Sequence, residues 1–249
     1  MGIFGGLDTC PVLGSETFVD SVEMLMQFNL TRQEALIYLK LLSEGDLNGY
    51  EAAKITGISR SNTYTSLASL VERGGAFIIE GPTTKYTPVP IEEFCDNKIR
   101  KLQETKKELM NNIPHQRNET DGYITIKGTS RILNKMRNMI LGAKERVYLA
   151  VSEEILKSLV PEITNAIDRV VKVVLITNVP LRLEGATVYF AEKSQQQIRL
   201  IVDSTNVLTG DLNDGEYSTC LYSKKKKLVD LLKESLKNEI KLIEMERNQ

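Results

Sequence analysis

The stretch KITGISRSNTYTSLASLVERGG, residues 54–75, decides the fold of the first third of this chain. Two helices that cross steeply need a residue free of Cβ strain at the corner and an apolar side chain beneath it, and Gly57 and Ile58 meet both demands. Ser59 is a predicted N-cap, and two glycines end the helix after residue 73. Its predicted core face has apolar residues at helical spacing, namely Tyr64, Leu67, Leu70 and Val71. The stretch therefore predicts a helix-turn-helix.

The elements on either side complete a winged helix-turn-helix, which we predict over residues 17–90. A first helix is followed by a second one that Thr31 caps, and Glu34 stands at the position that closes a capping box. A short helix over 48–55, whose predicted core face holds Tyr50, Ala52, Ala53 and Ile55, precedes the corner. A two-stranded hairpin over 76–89 follows the last helix. Helix, helix, short helix, turn, helix and hairpin is the order of this fold.

The last helix of this order carries a surface that suits a DNA duplex. Residues 54–71 contain Lys54 and Arg60 and no carboxylate, and short hydroxyls, an amide and a guanidinium can reach base edges and phosphates in a major groove. The alternative interpretation of the helix is that its serine and threonine side chains are simply exposed to solvent. The alternative for Lys85, at the tip of the hairpin, is that it is a solvated lysine without a partner in DNA. The predicted DNA-binding residues are Lys54, Ser59, Arg60, Ser61, Asn62, Thr63, Thr65 and Ser66, with Lys85 from the hairpin.

The charge of the first domain points to a local interface and not to a globally basic protein. Residues 17–91 hold eight acids and six bases, so nonspecific affinity for DNA should be modest and sensitive to salt. Winged domains also serve in protein contacts. A winged-helix protein-interaction module without sequence-specific DNA binding therefore stays open as the alternative.

Residues 91–118 predict a coiled-coil-like dimerisation helix and a polar linker. Between residues 91 and 113 the pattern has alternating steps of four and three over about three heptads, with Glu, Lys and Arg elsewhere. A seam this short is marginal alone, so other contacts must support it. Lys106 takes one seam position, and Pro114 ends the helix. The predicted dimerisation residues are Cys95, Ile99, Leu102, Leu109 and Ile113.

The remainder, residues 119–249, predicts an α/β mixed-sheet domain, which makes the chain α+β overall. Strand and helix patterns alternate, with a helix predicted over 153–168 and a β-branched strand over 170–177. Antiparallel strands follow, and a long helix is predicted over 225–246. Two questions stay open here. The long helix either covers the sheet or joins the dimer seam, and the run Lys224 to Lys227 is either solvated or in contact with an anion or nucleic acid.

Composition excludes several classes of protein. The 249 residues suit two ordinary domains, and 41% hydrophobic with 26% charged residues is not the composition of a disordered chain. No apolar run approaches the roughly 18 residues that span a bilayer, and residues 1–16 are interpreted as a flexible tail and not as a secretory signal. Three widely spaced cysteines predict a reduced, cytoplasmic setting without a metal site, and the single histidine, His115, excludes most histidine-dependent enzymes.

Two groups of residues in the first domain carry a family resemblance. One opens the second helix, and the other crosses the recognition helix. They are Leu30, Thr31, Glu34, Ala35 and Tyr38, and then Ile58, Ser59, Arg60, Ser61, Tyr64, Leu67, Leu70 and Gly74. With them, residues 17–113 resemble the TrmB family of archaeal and bacterial transcriptional regulators. The resemblance implies a dimeric winged-helix DNA-binding protein with a carboxyl-terminal domain that often senses an effector.

Members of that family commonly end in a domain similar to phospholipase D, whose motif reads His-x-Lys, four residues, Asp, six residues, Gly-Ser-x-x-Asn. Aligning Asp203 with the motif Asp places Gly210 on the motif Gly. Gln196 and Ile198 then replace the attacking histidine and the lysine that stabilises the phosphoryl charge, and neither can do those jobs. The resemblance thus implies a phospholipase D-like regulatory domain without catalytic residues. A divergent phosphodiesterase is the least favoured alternative.

The sequence as a whole predicts a cytoplasmic, homodimeric, sequence-specific transcriptional regulator with no enzymatic activity and no cofactor. Arg60 to Ser66 would enter the major groove of each half-site, and the helix over 91–113 would pair the protomers. An effector would act by preferring one dimer geometry. The expected partners are double-stranded DNA, a second copy of the chain and a small-molecule effector, and no membrane.

Overall fold

The computed structural model describes most of the chain as two compact units, divided between Gln116 and Arg117. Most of the predicted tail and linker lies outside the described residues, and so do His115 and Gln196. The last two residues of the predicted tail already belong to the first helix. The described residues are 15–113, 122–180, 182–191, 197–213 and 217–247.

The first unit is a winged helix-turn-helix followed by a long helix, as the sequence predicts. The predicted two-stranded hairpin is part of a three-stranded antiparallel sheet of order β1-β3-β2, because residues 47 and 48 form a short strand that was not predicted and that pairs with β3. The elements are α1 (Ser15–Gln27), α2 (Arg32–Glu44), β1 (Leu47–Asn48), α3 (Gly49–Thr56), α4 (Arg60–Glu72), β2 (Ala76–Ile79), β3 (Lys85–Pro88) and α5 (Ile91–Asn112).

Local capping fixes where the helices of this unit begin and end. At α2 the Glu34 backbone N–H donates to the Thr31 hydroxyl at 3.3 Å, and the Thr31 N–H donates to the Glu34 carboxylate at 2.7 Å, as the predicted capping box requires. Asn48 and Glu51 form the same arrangement at α3, which the sequence analysis missed. Gly57 ends α3 with φ of +70°, a left-handed conformation that a β-carbon disfavours, so the corner requires glycine here.

The core of the first unit lies between α1, α2, α4 and the first turn of α5. Tyr38 is fully buried, and its hydroxyl donates to the Val89 carbonyl oxygen at 2.7 Å. The ring of Phe94 lies 5.3 Å from the ring of Tyr38 and 6.4 Å from that of Phe28, between centroids. Burying an aromatic side chain of this size contributes about 2 kcal/mol. Phe94 therefore anchors the start of α5 to the winged domain.

A polar network holds the carboxyl-terminal end of α4 against α2. The guanidinium of Arg73 lies 3.5 Å from the buried carboxylate of Glu34 and donates to the Ser69 hydroxyl at 3.0 Å and to the Asn29 carbonyl at 2.6 Å. Burial raises the pKa of Glu34, but hydrogen bonds from Ser69 and Thr31 and the charge of Arg73 outweigh it and hold this pKa below its ordinary value. The network orients α4 from the end opposite its predicted DNA-binding face.

The second unit is built on one seven-stranded mixed sheet of order β4-β10-β9-β8-β5-β6-β7. The β5-β6 and β6-β7 pairs are parallel and the other pairs are antiparallel. The elements are β4 (Tyr123–Lys127), α6 (Thr129–Leu141), β5 (Arg146–Ala150), α7 (Glu153–Lys157), α8 (Val160–Asp168), β6 (Lys172–Thr177), β7 (Ala186–Phe190), β8 (Gln197–Val202), β9 (Asn206–Asp211), β10 (Thr219–Ser223) and α9 (Lys226–Arg247).

Helices cover both faces of this sheet. Residues of α6, α7 and α8 share one hydrophobic cluster with the sheet, and residues of α9 share another cluster on the opposite face. The long final helix therefore covers the sheet of its own chain, which answers one of the questions that the sequence left open. Because β6 is enclosed from both sides, residues 173–177 are buried without interruption.

Two predicted elements of the second unit were wrong in their bounds. The single helix predicted over 153–168 is two helices, with Pro161 in the first turn of α8, because proline lacks the N–H that a continuous helix would need there. The strand predicted from Val170 begins at Lys172. Val170 has φ of +63° and is 90% exposed, so it belongs to the turn before the strand and not to the sheet.

Candidate nucleic-acid interface

The amino-terminal half of α4 presents most of the predicted DNA-binding side chains to solvent. The Ser59 hydroxyl caps the helix by accepting the Asn62 N–H at 3.4 Å, and the Thr65 hydroxyl donates to the Ser61 carbonyl at 3.1 Å. These short side chains lie close to the helix surface, so a groove could approach it. The exposed members of the predicted set on α3 and α4 are Lys54, Ser59, Arg60, Ser61, Asn62 and Thr65.

Two residues predicted for this face lie instead inside the winged domain. Thr63 is fully buried, and Ser66 is 7% exposed. The Thr63 hydroxyl donates to the Ser59 carbonyl at 3.0 Å, which satisfies it without any partner outside the chain. Positions 63, 66, 67 and 70 lie on one side of a helix, so both residues share the face of Leu67 and Leu70. We therefore remove Thr63 and Ser66 from the candidate interface.

Two tyrosines replace them at the surface. Tyr50 and Tyr64 were predicted to face the core, yet they are 51% and 50% exposed. The guanidinium carbon of Arg60 lies 4.7 Å from the centre of the Tyr50 ring, which is cation–π geometry. A β-carbon added at Gly49 would lie 2.3 Å from Cε1 of Tyr64, so this ring occupies the space that the missing side chain leaves. In the sequence, the glycine at position 49 is the one feature from which the position of the Tyr64 ring could have been predicted.

The electrostatics of this face favour a polyanion. Lys54 and Arg60 are exposed there, and the amino-terminal end of α4 adds the positive end of its helix dipole. Glu51 is near in sequence, but its carboxylate accepts the Asn48 N–H at 2.9 Å as part of the α3 cap. Glu72 lies in the last turn of α4, about 18 Å along the axis from Arg60. The arrangement can bind phosphates and contact base edges.

The hairpin places Lys85 at the first residue of β3, paired with Ile79 of β2. Lys85 is exposed, as a residue that touches phosphate or the minor groove must be. The outer strand β2 also exposes Phe77, Ile78 and Ile79, at 55%, 48% and 40%. The wing thus combines a basic tip with an apolar strand whose exposure was not predicted.

The predicted dimerisation residues divide into two groups. Ile99, Leu102, Leu109 and Ile113 are exposed, at 45%, 69%, 51% and 56%. Cys95 is different, because it is half-buried against the hydrophobic core of its own unit beside Phe94. We therefore remove Cys95 from the predicted seam, which begins one turn later.

The aspartate that aligns with the phospholipase D motif has a structural role. Asp203 and Ser204 form the turn between β8 and β9 with φ of +51° and +52°, a conformation that aspartate tolerates better than most residues. The Asp203 carboxylate accepts backbone N–H groups of Lys144, Glu145 and Arg146 at 2.9, 2.8 and 3.0 Å. Burial raises the pKa of Asp203, but these donors and the charge of Lys144 outweigh it and hold this pKa below its ordinary value of 3.8.

Asp203→Asn is expected to lower the free energy of unfolding of the second unit by about 1–2 kcal/mol at pH 7, because charge-assisted hydrogen bonds become neutral ones. Asparagine also tolerates the turn, so the change isolates the charge. Since the folded-state pKa is lowered, the carboxylate stabilises the fold above its ordinary pKa and loses this effect as the pH falls through the folded value. Urea denaturation followed by circular dichroism from pH 7 to pH 3 checks this. A wild-type advantage that did not shrink below about pH 4 would contradict it.

The other motif positions do not assemble a phosphoryl-transfer site in the part of the chain that the structure describes. Ile198 is fully buried in the core of the second unit, as its apolar side chain dictates. Gly210 lies in β9 opposite Cys220 of β10. Gln196, aligned with the attacking histidine, lies outside the described residues.

Two protein-family models match this chain, one in each unit. The family model described as the sugar-specific transcriptional regulator TrmB matches residues 25–92. A second model, described as the N-terminal subdomain of the EBD of the transcriptional regulator TrmB, matches residues 122–235. Among the described residues, no helix has both the length and the apolar composition that a membrane span requires.

Individual relatives agree with the two family models. YrhO of Bacillus subtilis is 33% identical over 178 residues, which are 70% of this chain and 65% of YrhO. The chain thus spans about two thirds of that relative. TrmBL2 of Thermococcus kodakarensis, named a DNA-binding HTH-type transcriptional repressor, is 27% identical over 201 residues, 72% of this chain and 76% of TrmBL2.

Two solved structures resemble parts of the fold. A structure of TrmBL2, described as an archaeal chromatin protein with a novel mode of DNA binding, matches 90% of this chain and 97% of its own with 24% identity and a TM-score of 0.43. Nuc of Salmonella typhimurium, a phospholipase D family member, matches 47% of this chain and 93% of its own with 17% identity and a TM-score of 0.35. With two TrmB domain models matched in order along its length, the chain belongs to the TrmB family of transcriptional regulators.

Proposed function

We propose that this protein is a sequence-specific DNA-binding transcriptional regulator that acts as a homodimer in the cytoplasm. One observation carries the proposal. The amino-terminal half of α4 exposes Arg60, Ser61, Asn62 and Thr65 with no carboxylate in its first turn. A major groove admits such a helix face, and acids would be repelled from it. TrmBL2 of Thermococcus kodakarensis, which is named as a DNA-binding repressor, supports the same assignment.

In this proposal α4 is the recognition helix and the other exposed basic groups position it. Arg60 reaches a base edge or a phosphate, with Tyr50 beneath its guanidinium. Lys54 and Lys85 contact phosphates, which orient the helix without reading sequence. Tyr64 adds an exposed aromatic side chain at the position where α3 and α4 meet.

The exposed apolar stripe of α5 supports the homodimer. Ile99, Leu102, Leu109 and Ile113 recur at heptad spacing and are 45–69% exposed, and a helix with such a stripe gains stability by pairing with a copy of itself. A two-fold dimer presents two copies of α4, so the operator should be a paired, two-fold motif.

The second unit acts as a regulatory domain that a small-molecule effector controls.

We further propose that the second unit is not catalytic. The Asp203 carboxylate is occupied by three backbone N–H donors, and Ile198 is buried where a phosphodiesterase needs a lysine. A purified protein that hydrolysed a generic phosphodiester substrate would overturn this assignment.

A selection from random duplex DNA at moderate salt tests the proposed function. Full-length protein is expected to enrich a paired, two-fold motif, because both protomers read the same half-site. If the selection enriched no such motif, or enriched only unrelated sequences, the result would favour a winged-helix module that docks on other proteins.

Arg60→Ala is expected to weaken binding to the selected site by about 1–3 kcal/mol if Arg60 contacts a base. Arg60 is exposed at the first position of α4, so its removal should leave the fold intact. Fluorescence anisotropy with the selected duplex measures the change, and Arg32→Ala, at the equivalent position of α2, is the control. Equal affinities of the two variants would remove Arg60 from the interface.

Leu102→Asp is expected to convert the dimer to a monomer at micromolar concentration, because each carboxylate would have to be buried in the seam. Leu102 is 69% exposed in the described unit, so the folded monomer tolerates the change. Sedimentation velocity measures the state. Asn97→Asp adds the same charge to an exposed position of α5 outside the stripe and should stay dimeric. If Leu102→Asp stayed dimeric like Asn97→Asp, the stripe of α5 would not be the dimer seam.

A further inference from the structure

A cavity of about 480 Å³ opens between α9 and the sheet of the second unit. It lies over β5 to β8, on the face opposite α6, α7 and α8. All the residues that line it are described, and none belongs to the predicted DNA-binding face or to the aligned phospholipase D positions. Its volume falls in the range of about 300–1,000 Å³ that small-molecule sites occupy.

The floor of this cavity is apolar and buried. Val174 of β6, Ile201 of β8 and Leu236 of α9 line it and are 5%, 1% and 3% exposed. Tyr148 and Tyr189, both half-buried, form part of its wall. An apolar floor of this kind contacts the apolar body of a ligand more favourably than it contacts water.

The rim of the cavity is strongly positive. Lys233, Lys237 and Lys241 recur every four residues of α9, and Lys172 at the start of β6 joins them. None of these lysines forms an ion pair with a described residue. The only carboxylate in the lining is Glu244, which already accepts the Tyr189 hydroxyl at 2.9 Å.

Lysines four residues apart on a helix repel one another by a few tenths of a kcal/mol per pair. An anion between the lysines would reverse this effect. The apolar floor below them sets the second requirement, since a fully hydrated anion would gain nothing from Val174, Ile201 and Leu236. A duplex is too wide for a cavity of this volume.

We propose that this cavity binds an amphipathic organic anion, with an apolar body on the sheet and a carboxylate, sulfonate or phosphate between the lysines of α9 and Lys172. This assignment names a ligand class for the second unit. It depends only on the cavity and does not require that α4 bind DNA.

Two fluorescent dyes test the proposal on the full-length protein without DNA. The probe 8-anilinonaphthalene-1-sulfonate has an apolar ring system and one negative charge, and N-phenyl-1-naphthylamine has the same rings without the sulfonate. The anionic dye is expected to bind about tenfold more tightly than the neutral dye at moderate salt. Equal affinities would overturn the requirement for charge.

Variants of α9 then localise the anionic dye. The double variant Lys237→Gln, Lys241→Gln is expected to weaken its binding about tenfold and to leave the neutral dye unchanged. The control Lys226→Gln, Lys227→Gln removes two exposed lysines of the same helix that do not line the cavity. Equal losses in both variants would show that the dye senses only the net charge of the protein, against the proposal.

A shape variant separates the cavity from the other exposed apolar surfaces, including the stripe of α5. Thr187 is exposed on the edge strand β7 and lines the cavity, so Thr187→Phe should fill it while the strand tolerates the aromatic residue. Binding of both dyes is then expected to fall about tenfold or more. Retained binding, or displacement of the anionic dye by inorganic phosphate as readily as by an alkyl carboxylate, would contradict an amphipathic site.

Discussion

Gly210→Ala is expected to lower the free energy of unfolding of the second unit by about 3 kcal/mol or more. Gly210 lies in β9, between β8 and β10, where Ile198 and Cys220 are its partners. A β-carbon there would lie 2.2 Å from the Thr219 carbonyl oxygen and 2.7 Å from Cα of Cys220. Both atoms belong to the backbone of β10, so relief requires the strands to separate and not merely a rotamer change.

Urea denaturation of the full-length protein, followed by circular dichroism, measures this loss. The matched control is Gly122→Ala in the same unit, because a β-carbon at Gly122 would meet no atom within 4 Å. The control should stay within about 0.5 kcal/mol of wild type. If both variants unfolded at the wild-type urea concentration, the close approach of β9 and β10 at Gly210 would not be a property of the folded protein.

Ser61→Glu is expected to weaken binding to the selected operator by about 3 kcal/mol, or roughly 150-fold, because a carboxylate on the recognition face would lie against DNA phosphates. Ser61 is exposed at the second position of α4. A glutamate at this position interacts favourably with the helix dipole, so the fold should be at least as stable as that of the wild type. Loss of binding could then not be attributed to unfolding.

Gln33→Glu is the matched control for this variant. Gln33 is the second residue of α2, is exposed, and gains the same charge at the same helical position. It lies at the end of the domain where Glu34 contacts Arg73, about 18 Å along α4 from Ser61. Gln33→Glu should bind within about threefold of wild type at moderate salt, since exposed charges this far apart are largely screened. Equal losses in the two variants would mean that α4 does not face the DNA.

Much of the winged domain could be predicted because its signals are local. Thr31 and Ser59 cap helices through hydrogen bonds to residues three positions away, and Gly57 supplies a left-handed corner, so a short stretch contains the whole cause. The predicted fold class and the family assignment are confirmed. The roles of the exposed residues of α4 and α5 stay predictions, since they concern partners outside the chain.

Burial was the weaker part of the prediction, because it depends on what a second element leaves uncovered. Thr63 was expected outside and is inside, since its hydroxyl bonds to its own helix and needs no solvent. Tyr64 was expected inside and is half exposed, because Gly49 of α3 offers its ring a surface at the rim of the core. Cys95 follows the same rule, as it packs on its own domain beside Phe94.

The sequence by itself determined the order of the helices in the winged domain, the corner of the helix-turn-helix and the absence of acids at the start of α4, since each depends on neighbours within a few residues. Only the tertiary structure decided which side chains of α3 and α4 remain exposed, that α9 covers its own sheet, and that three lysines of α9 converge with Lys172 of β6 over an apolar floor. Those contacts join residues far apart in the chain, and no local pattern records them.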